Sequence, residues 1–434
     1  MNAYGAAVGW ATVKDGQLLV PEANISLGLK AGVLTGSLLL ADLTFSARRT
    51  ADPLPVEPEP PAVGAGPKPA WTYHAGAALW AGPVVADGVA YLGDAAGVFH
   101  AVDVATGRAR WTFAAGAPLF GAPAVAGAAI CFVSDQGRLH YLTRADGREL
   151  WHANIGGSGI RSVPSRGGTE WDFTAATPVV AADMIFVGSA DGTFQARSAA
   201  NGNPLWSFKT GGKIRAAALV NGNRVVVGST DHFVYALDRR TGALLWRFDA
   251  GSPVTTAPML AGDRLVIGTR DQGLLYALDA ATGTRQWTVD YWLSWVESTP
   301  VLVDGMLYVG SSDSRRVRVI EPGTGRVRWT AQVWGWTWGT PLVVGDTVYY
   351  GTAGAPEYFI TQRASLGALY RRTGALKWRQ PLPLLEKSYV AGIAGSLAYF
   401  DGKILAATLA GTLEAYDVGP PAAGSPAPLA VTPP

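Results

Sequence analysis

The sequence predicts an all-β fold, an eight-bladed β-propeller of four-stranded antiparallel blades, on three observations. A tryptophan recurs seven times, each four residues after the glycine of a turn. Three short apolar runs precede each of those turns, and the two ends of the repeat region carry complementary pieces of one further repeat. A period near 40 residues marks a radially repeated architecture, in which a unit too small to bury its own apolar faces stacks on its neighbours.

Residues 1–50 form a small β-rich module. Alternation at Ile25, Leu27, Leu29 and Ala31 and again at Leu43, Phe45 and Ala47, with a turn at Lys14-Asp15-Gly16, predicts three or four strands. So short a piece has a marginal core, and it is expected to dock on the propeller, pair with another chain or donate a strand. Residues 51–68 form a proline-rich linker, in which Pro53, Pro55, Pro58, Pro60, Pro61 and Pro67 favour an extended spacer that runs up to Pro69.

Residues 69–418 are the propeller. In the first whole repeat Pro83 to Gly93 and Val98 to Asp103 supply three hairpin-linked strands, and the run around Trp111 supplies the fourth. The same phase places Trp151, Trp206, Trp246, Trp287, Trp329 and Trp378 on the fourth strands of later repeats. Leu397 to Asp417 contains three strands and then runs into Gly419-Pro420-Pro421 without a tryptophan strand. Pro69 to Tyr73, around Trp71, is a tryptophan strand without the three that should precede it. The two fragments complete one blade, so the N-terminal strand is expected to zip onto the C-terminal one, making eight blades and removing the sheet edges that would aggregate.

Two insertions break the period: His152 to Trp171, carrying Arg161 and Arg166, and Thr352 to Ser365, around Glu357, Tyr358 and Phe359. Long loops on a rigid scaffold are candidate contact sites. Residues 419–434 are a Pro/Ala-rich tail.

The pattern Ala-x-Asp-x-x-Thr-Gly-x-x-x-Trp is intact at Ala101 to Trp111, Ala236 to Trp246 and Ala277 to Trp287, and drifts elsewhere, as at Tyr141, Asp146, Ser198, Asn201 and Tyr370. It resembles the tryptophan-docking repeat of pyrroloquinoline-quinone propellers, a group that includes the propeller subunit of the outer-membrane barrel-assembly machinery. The resemblance implies that Trp71, Trp111, Trp151, Trp206, Trp246, Trp287, Trp329 and Trp378 are structural, each stacking on the turn of a neighbouring blade. It also implies an extracytoplasmic location, periplasm or cell surface. Enzymes of the group hold the quinone against a disulfide of adjacent cysteines, with a calcium bound by acidic and amide side chains. This chain has one cysteine, Cys131, in an apolar strand, and its aspartates lie mostly in repeat turns. No cofactor, no metal and no catalysis are therefore expected.

Superposing the repeats on the proline that opens each innermost strand, and stepping back three residues, gives a ring at one mouth of the channel: Trp80, Phe120, Ala175, Arg215, Thr255, Glu297, Trp338 and Ala394. Trp295, Trp334 and Trp336 lie nearby in sequence. Aromatic rings with an Arg215/Glu297 pair suit a peptide, a sugar ring or a planar ligand. The alternative is that these indoles plug the channel or pack between blades.

Other chemistries lack their residues. The five histidines show no metal-ligand spacing, with His100 and His140 in equivalent places of adjacent repeats, and no HExxH or GxSxG motif occurs. A Glu297/Asp172 pair for sugar chemistry has no support from spacing. Thirty-five basic against 33 acidic residues, with no long run of one sign, argue against nucleic acid, and no uninterrupted apolar segment is long enough for a membrane span. Met1-Asn2-Ala3-Tyr4-Gly5 opens no recognisable signal peptide. The function expected is a non-catalytic binding or scaffolding propeller for protein–protein contacts at the envelope or surface. The alternatives are a sugar- or quinone-binding propeller enzyme, or a surface-polymer subunit self-associating by strand donation from residues 1–50.

Overall fold

The computed structural model describes the strands between residues 12 and 48 by their backbone, and residues 60, 61, 64, 66–156, 172, 173, 175–292, 294–358, 361–386 and 388–420 in full. Arg161, Arg166, Trp171 and Phe359, the Asp15-Gly16 turn and the tail beyond residue 420 lie outside the described residues.

The N-terminal strands form a five-stranded antiparallel meander, β1 (Thr12–Lys14), β2 (Gln17–Val20), β3 (Ile25–Lys30), β4 (Val33–Leu38) and β5 (Leu43–Arg48), paired in sequence order. The count is five where three or four were expected, because Gln17–Val20 and Val33–Leu38 are separate strands that alternation over so few residues did not resolve.

Eight four-stranded antiparallel blades then follow around the ring, the seventh with a short additional strand, Ala391–Gly392, paired to Ala353 and Gly354. Blades one to seven are contiguous in sequence, from Val84–Ala114 in blade one to Leu342–Pro381 in blade seven. Blade eight takes Ala398–Phe400, Lys403–Ala407 and Thr412–Asp417 from the C-terminal end and β6 (Pro69–His74) from the N-terminal end. β6 zips onto Thr412–Asp417 with Thr412 opposite His74, Glu414 opposite Thr72 and Ala415 opposite Trp71. The split repeat thus closes the ring.

Position within a blade explains composition. The second strand, such as Val89–Gly93 or Met184–Gly188, is buried at every residue because a neighbouring blade covers each face, so it reads as an unbroken apolar run. Outermost strands, such as Pro204–Lys209, alternate exposed and half-buried positions because one face meets solvent. The core lies between blades: Val226, Val234, Leu265, Ile267 and Tyr276 form one cluster across blades four and five.

One contact recurs at seven of the eight junctions. The Trp71 indole lies over Gly107 in the turn of blade one, and its Nε1–H donates to the Val104 carbonyl at 3.0 Å. Trp111, Trp151, Trp206, Trp287 and Trp329 donate likewise to the carbonyls of Arg144, Ala199, Arg239, Pro322 and Arg371, each in the next blade. Trp246 covers Gly283 in the same way, but its Nε1 has no acceptor. Trp378 meets a different partner: blade eight is split where its turn would be, and Gly66, just ahead of β6, lies against the indole instead. The turns are fixed from within, as where the Asp238 carboxylate accepts from the Thr241 amide at 2.9 Å and its hydroxyl at 3.0 Å.

Gly242 shows why the turn residue is glycine: its φ is +73°, and a Cβ there would lie 2.6 Å from the Trp206 ring. Gly242→Ala is therefore expected to cost roughly 2–4 kcal/mol through left-handed strain and overpacking, read from the urea midpoint. Trp206→Phe should cost about 1 kcal/mol more than Trp246→Phe, since only the former loses a hydrogen bond; equal costs would mean the indole N–H contributes nothing.

Candidate functional site

The blades converge most tightly just before their innermost strands, where residues must be small. A Cβ on Gly82 would lie 2.0 Å from the Ser396 carbonyl oxygen, and one on Gly339 would lie 2.3 Å from that of Gly395. In each blade the ring position lies at or just ahead of these tight points, Trp80 two residues before Gly82 and Trp338 directly before Gly339. All eight ring positions, Trp80, Phe120, Ala175, Arg215, Thr255, Glu297, Trp338 and Ala394, line a single cavity of about 220 Å³.

An aromatic arc forms one side. Trp80 meets Phe120 edge-on at 6.3 Å and Phe173 at 5.9 Å, and Phe173 packs on Trp338 at 4.6 Å. Phe173 was not singled out from the sequence. It follows the 152–171 insertion and projects where its own blade supplies only Ala175 to the ring. A small residue at that register, directly after an inserted loop, was the available signal.

Arg215 and Glu297 are each tied to another residue. Asp172 accepts from both Lys213 and Arg215 at 2.5 Å. Glu297 pairs with Arg270 at 2.7 Å and accepts the Thr255 hydroxyl at 3.0 Å. Arg270 also lies over the Trp295 ring at 4.0 Å and the Phe173 ring at 5.7 Å. Burial alone would raise the Asp172 carboxyl, but the hydrogen bonds from Lys213 and Arg215 outweigh it and hold the group below the usual range. The carboxylates of Asp172 and Glu297 are thus engaged by cations, an arrangement that neutralises buried charge rather than poising it for proton transfer.

Trp295, Trp334 and Trp336 lie outside the cavity lining. Trp295 is half-buried beneath Arg270. Trp334 occupies a left-handed turn, φ +60°, whose carbonyl accepts the Arg363 amide at 2.8 Å. Trp336 is fully buried and stacks on Trp338 at 4.8 Å with an interplanar angle of 13°. The second insertion accounts for this: it extends a blade-seven strand to Gly354, and Trp336 exchanges backbone hydrogen bonds with Ala353.

Behind the stacked pair sits Asp313, which accepts from Trp336 Nε1–H at 2.7 Å and from the Tyr358 hydroxyl at 3.3 Å. Burial pushes its carboxyl up to about 6, against the pull of those two donors and of Arg315. Asp313 thereby fixes the indole that backs the mouth to the tyrosine of the inserted loop.

Fold and repeat define a propeller of the quinoprotein-repeat class. The model of the family described as outer membrane protein assembly factor BamB matches residues 63–167, 130–228, 210–293 and 230–421, and the chain belongs to that family. Among solved structures it resembles BamB from Moraxella catarrhalis, with 15% identity, 95% of this chain and 99% of that one covered, and a TM-score of 0.54. The computationally designed Ika8 protein matches at 18% identity over 80% of this chain and 98% of its own, with a TM-score of 0.62. Quinohemoprotein alcohol dehydrogenase from Comamonas testosteroni matches at 15% identity over 83% and 77%, with a TM-score of 0.58. At such identities the likeness is one of fold. No curated protein sequence matches the chain.

The residues present do not fit the quinone and calcium that the resemblance implied for enzymes of the group. Cys131 is fully buried in blade two, with its thiol pushed up to about 12 by burial, and it has no cysteine beside it. The mouth carboxylates are taken by Lys213, Arg215 and Arg270. Among the described residues no group of three or more His, Cys, Asp or Glu is placed to hold a metal, and no helix is long and apolar enough to cross a membrane.

The Asp313 pocket generates a pH dependence. Between an ordinary aspartate value of about 4 and the folded value of about 6, the folded protein holds a proton that the unfolded chain has released. This group's contribution to stability therefore falls as pH rises through that window, by up to about 1.4 kcal/mol per unit. Asp313→Asn, which cannot ionise, is expected to gain melting temperature relative to wild type from pH 4 to pH 6 and to hold that gain above pH 7. A difference independent of pH would show that the carboxyl does not titrate in the pocket.

Proposed function

We propose that this chain is a non-catalytic, protein-binding propeller acting in an extracytoplasmic compartment, and that its channel mouth receives a ring-sized side chain of the partner. Membership of the BamB family supports protein binding as the role. The observation that carries the site is the cavity at the axis, walled by Trp80, Phe120, Phe173 and Trp338, with the Asp172 and Glu297 carboxylates engaged by cations. Its volume of about 220 Å³ is below the ~300–1,000 Å³ of ordinary small-molecule sites but above the ~150 Å³ that holds a benzene ring. The half-buried faces of Trp80 and Phe120 on a rigid scaffold suit an apolar or aromatic anchor from a partner.

Trp80 and Phe120 are the residues for the test, because both are half-buried at the rim, whereas Trp336 is core. With a photo-crosslinking residue at Thr177 in the mouth, the producing cell should yield a discrete adduct. The Trp80→Ala/Phe120→Ala pair should lower its yield at least tenfold while leaving the melting temperature within a few degrees. Undiminished yield would exclude the mouth. Incubation with pyrroloquinoline quinone and calcium should leave absorbance and melting temperature unchanged; a saturable shift in both would favour a quinone-binding propeller instead.

A further inference from the structure

The cavity at the axis has a second tier, next to the innermost strands. Successive side chains of an extended chain point to opposite sides, so the residue two places after each ring position meets the cavity again. All eight residues at that register line it: four carry a hydroxyl, Thr177, Thr299, Thr340 and Ser396, and the other four are glycine or alanine. Thr299, Thr340 and Ser396 belong to the consecutive blades six, seven and eight, and Thr340 follows Trp338 of the aromatic arc by two residues.

The hydroxyls one place earlier, where the blades touch, are used by the fold. Ser298 Oγ–H donates to the Gly339 carbonyl at 3.2 Å, and Thr256 donates to the Gly268 carbonyl at 3.1 Å and accepts the Gly268 amide at 2.9 Å. Those of the second tier are not. Among the described residues none hydrogen-bonds to the hydroxyl of Thr177, Thr299 or Thr340, although only 6% of Thr340 is exposed. Ser396 Oγ accepts the Thr340 amide at 3.0 Å, which leaves its proton to donate. A buried hydroxyl without a protein partner is costly unless something in the cavity pairs with it.

We infer that the side chain received by the mouth is a tyrosine, with its ring against Trp80, Phe120, Phe173 and Trp338 and its phenol hydroxyl among Thr299, Thr340 and Ser396. The inference rests on the mouth being a receptor for a ring-bearing partner, and it names the ring.

Three considerations select a phenol. The first is size. A cavity of ~150 Å³ holds a benzene ring, and one of about 220 Å³ has space for a hydroxyl and a methylene besides. The second is hydrogen bonding. A phenol both donates and accepts, as the threonine and serine hydroxyls do, whereas an indole only donates and a benzyl ring does neither. The third is the wall. Trp80 and Phe120 meet at 66° and Phe173 and Trp338 at 36°, edge-on and tilted arrangements into which another aromatic ring fits. A sugar ring would need polar partners around its whole edge, and the carboxylates nearest to it, Asp172 and Glu297, are engaged by Lys213, Arg215 and Arg270. A neutral phenol leaves those ion pairs undisturbed.

The test uses the full chain with N-acetyl-tyrosinamide, N-acetyl-phenylalaninamide and methyl glucoside as probes, binding being read from the broadening of the probes' proton resonances. The tyrosine probe should bind at least tenfold more tightly than the phenylalanine probe. Thr299→Val/Thr340→Val, which keeps the outline of both side chains, should bring the two within about twofold of each other without lowering the melting temperature. Trp80→Ala/Phe120→Ala should weaken both probes alike. The inference is overturned if phenylalanine binds as tightly as tyrosine, or if the preference for tyrosine survives in the valine pair; the mouth then still receives a ring, and its hydroxyls face only water. Tighter binding of the glucoside overturns it in favour of a sugar. Binding of none of the three overturns it as well, and the crosslink yield at the mouth then reports separately whether a partner docks there.

Discussion

Seven of the eight joints in this ring depend on a tryptophan from one blade lying on a glycine turn of the next. The indole needs a flat, side-chain-free surface, and a glycine with positive φ, such as Gly107 beneath Trp71 or Gly242 beneath Trp206, supplies it. The indole N–H then reaches a carbonyl in that same neighbouring blade, so a single side chain fixes both the separation and the rotation of adjacent sheets. The buried second strands, the tight convergence at Gly82 and Gly339, and the alignment of eight residues around one cavity follow from that repeated spacing.

At the mouth the repeat is decorated rather than altered. Phe173 enters from one insertion, and the loop carrying Tyr358 enters from the other. Together with Arg270 they convert a ring of unlike residues into an aromatic arc with neutralised flanks. A scaffold that keeps its blades uniform and varies the loops at one end can change what it recognises without disturbing closure.

What could be read from the sequence follows from the distance over which each contact acts. The blades, the split eighth sheet and the ring positions are set by period and phase, which are local and repeated eight times, so aligning the copies locates Trp80 and Glu297 in equivalent places. Partners contributed once, from outside the period, leave no such trace. Asp172 reaches Arg215 from the far end of an insertion, and Arg270 reaches Glu297 from the far end of a second strand. The aromatic run Trp334 to Trp338 is uniform in composition yet is divided by structure into a strained turn, a buried stack and a cavity wall, because the inserted strand extension takes Trp336 into its own bridge. For residues 12–48 alternation showed a sheet, but only the pairing resolved its five strands.

The seam at blade eight differs from the other seven in what it rests on. Trp378 leans on Gly66, a residue of the segment leading into the closing strand rather than of a hairpin turn. Any tension carried along the chain from the N-terminal sheet therefore reaches this indole before it reaches the hydrogen bonds between β6 and Thr412–Asp417. The fastener of the ring and its tether are consecutive stretches of one backbone, so a pull on the tether loads this joint directly, while the other seven are shielded by the blades between.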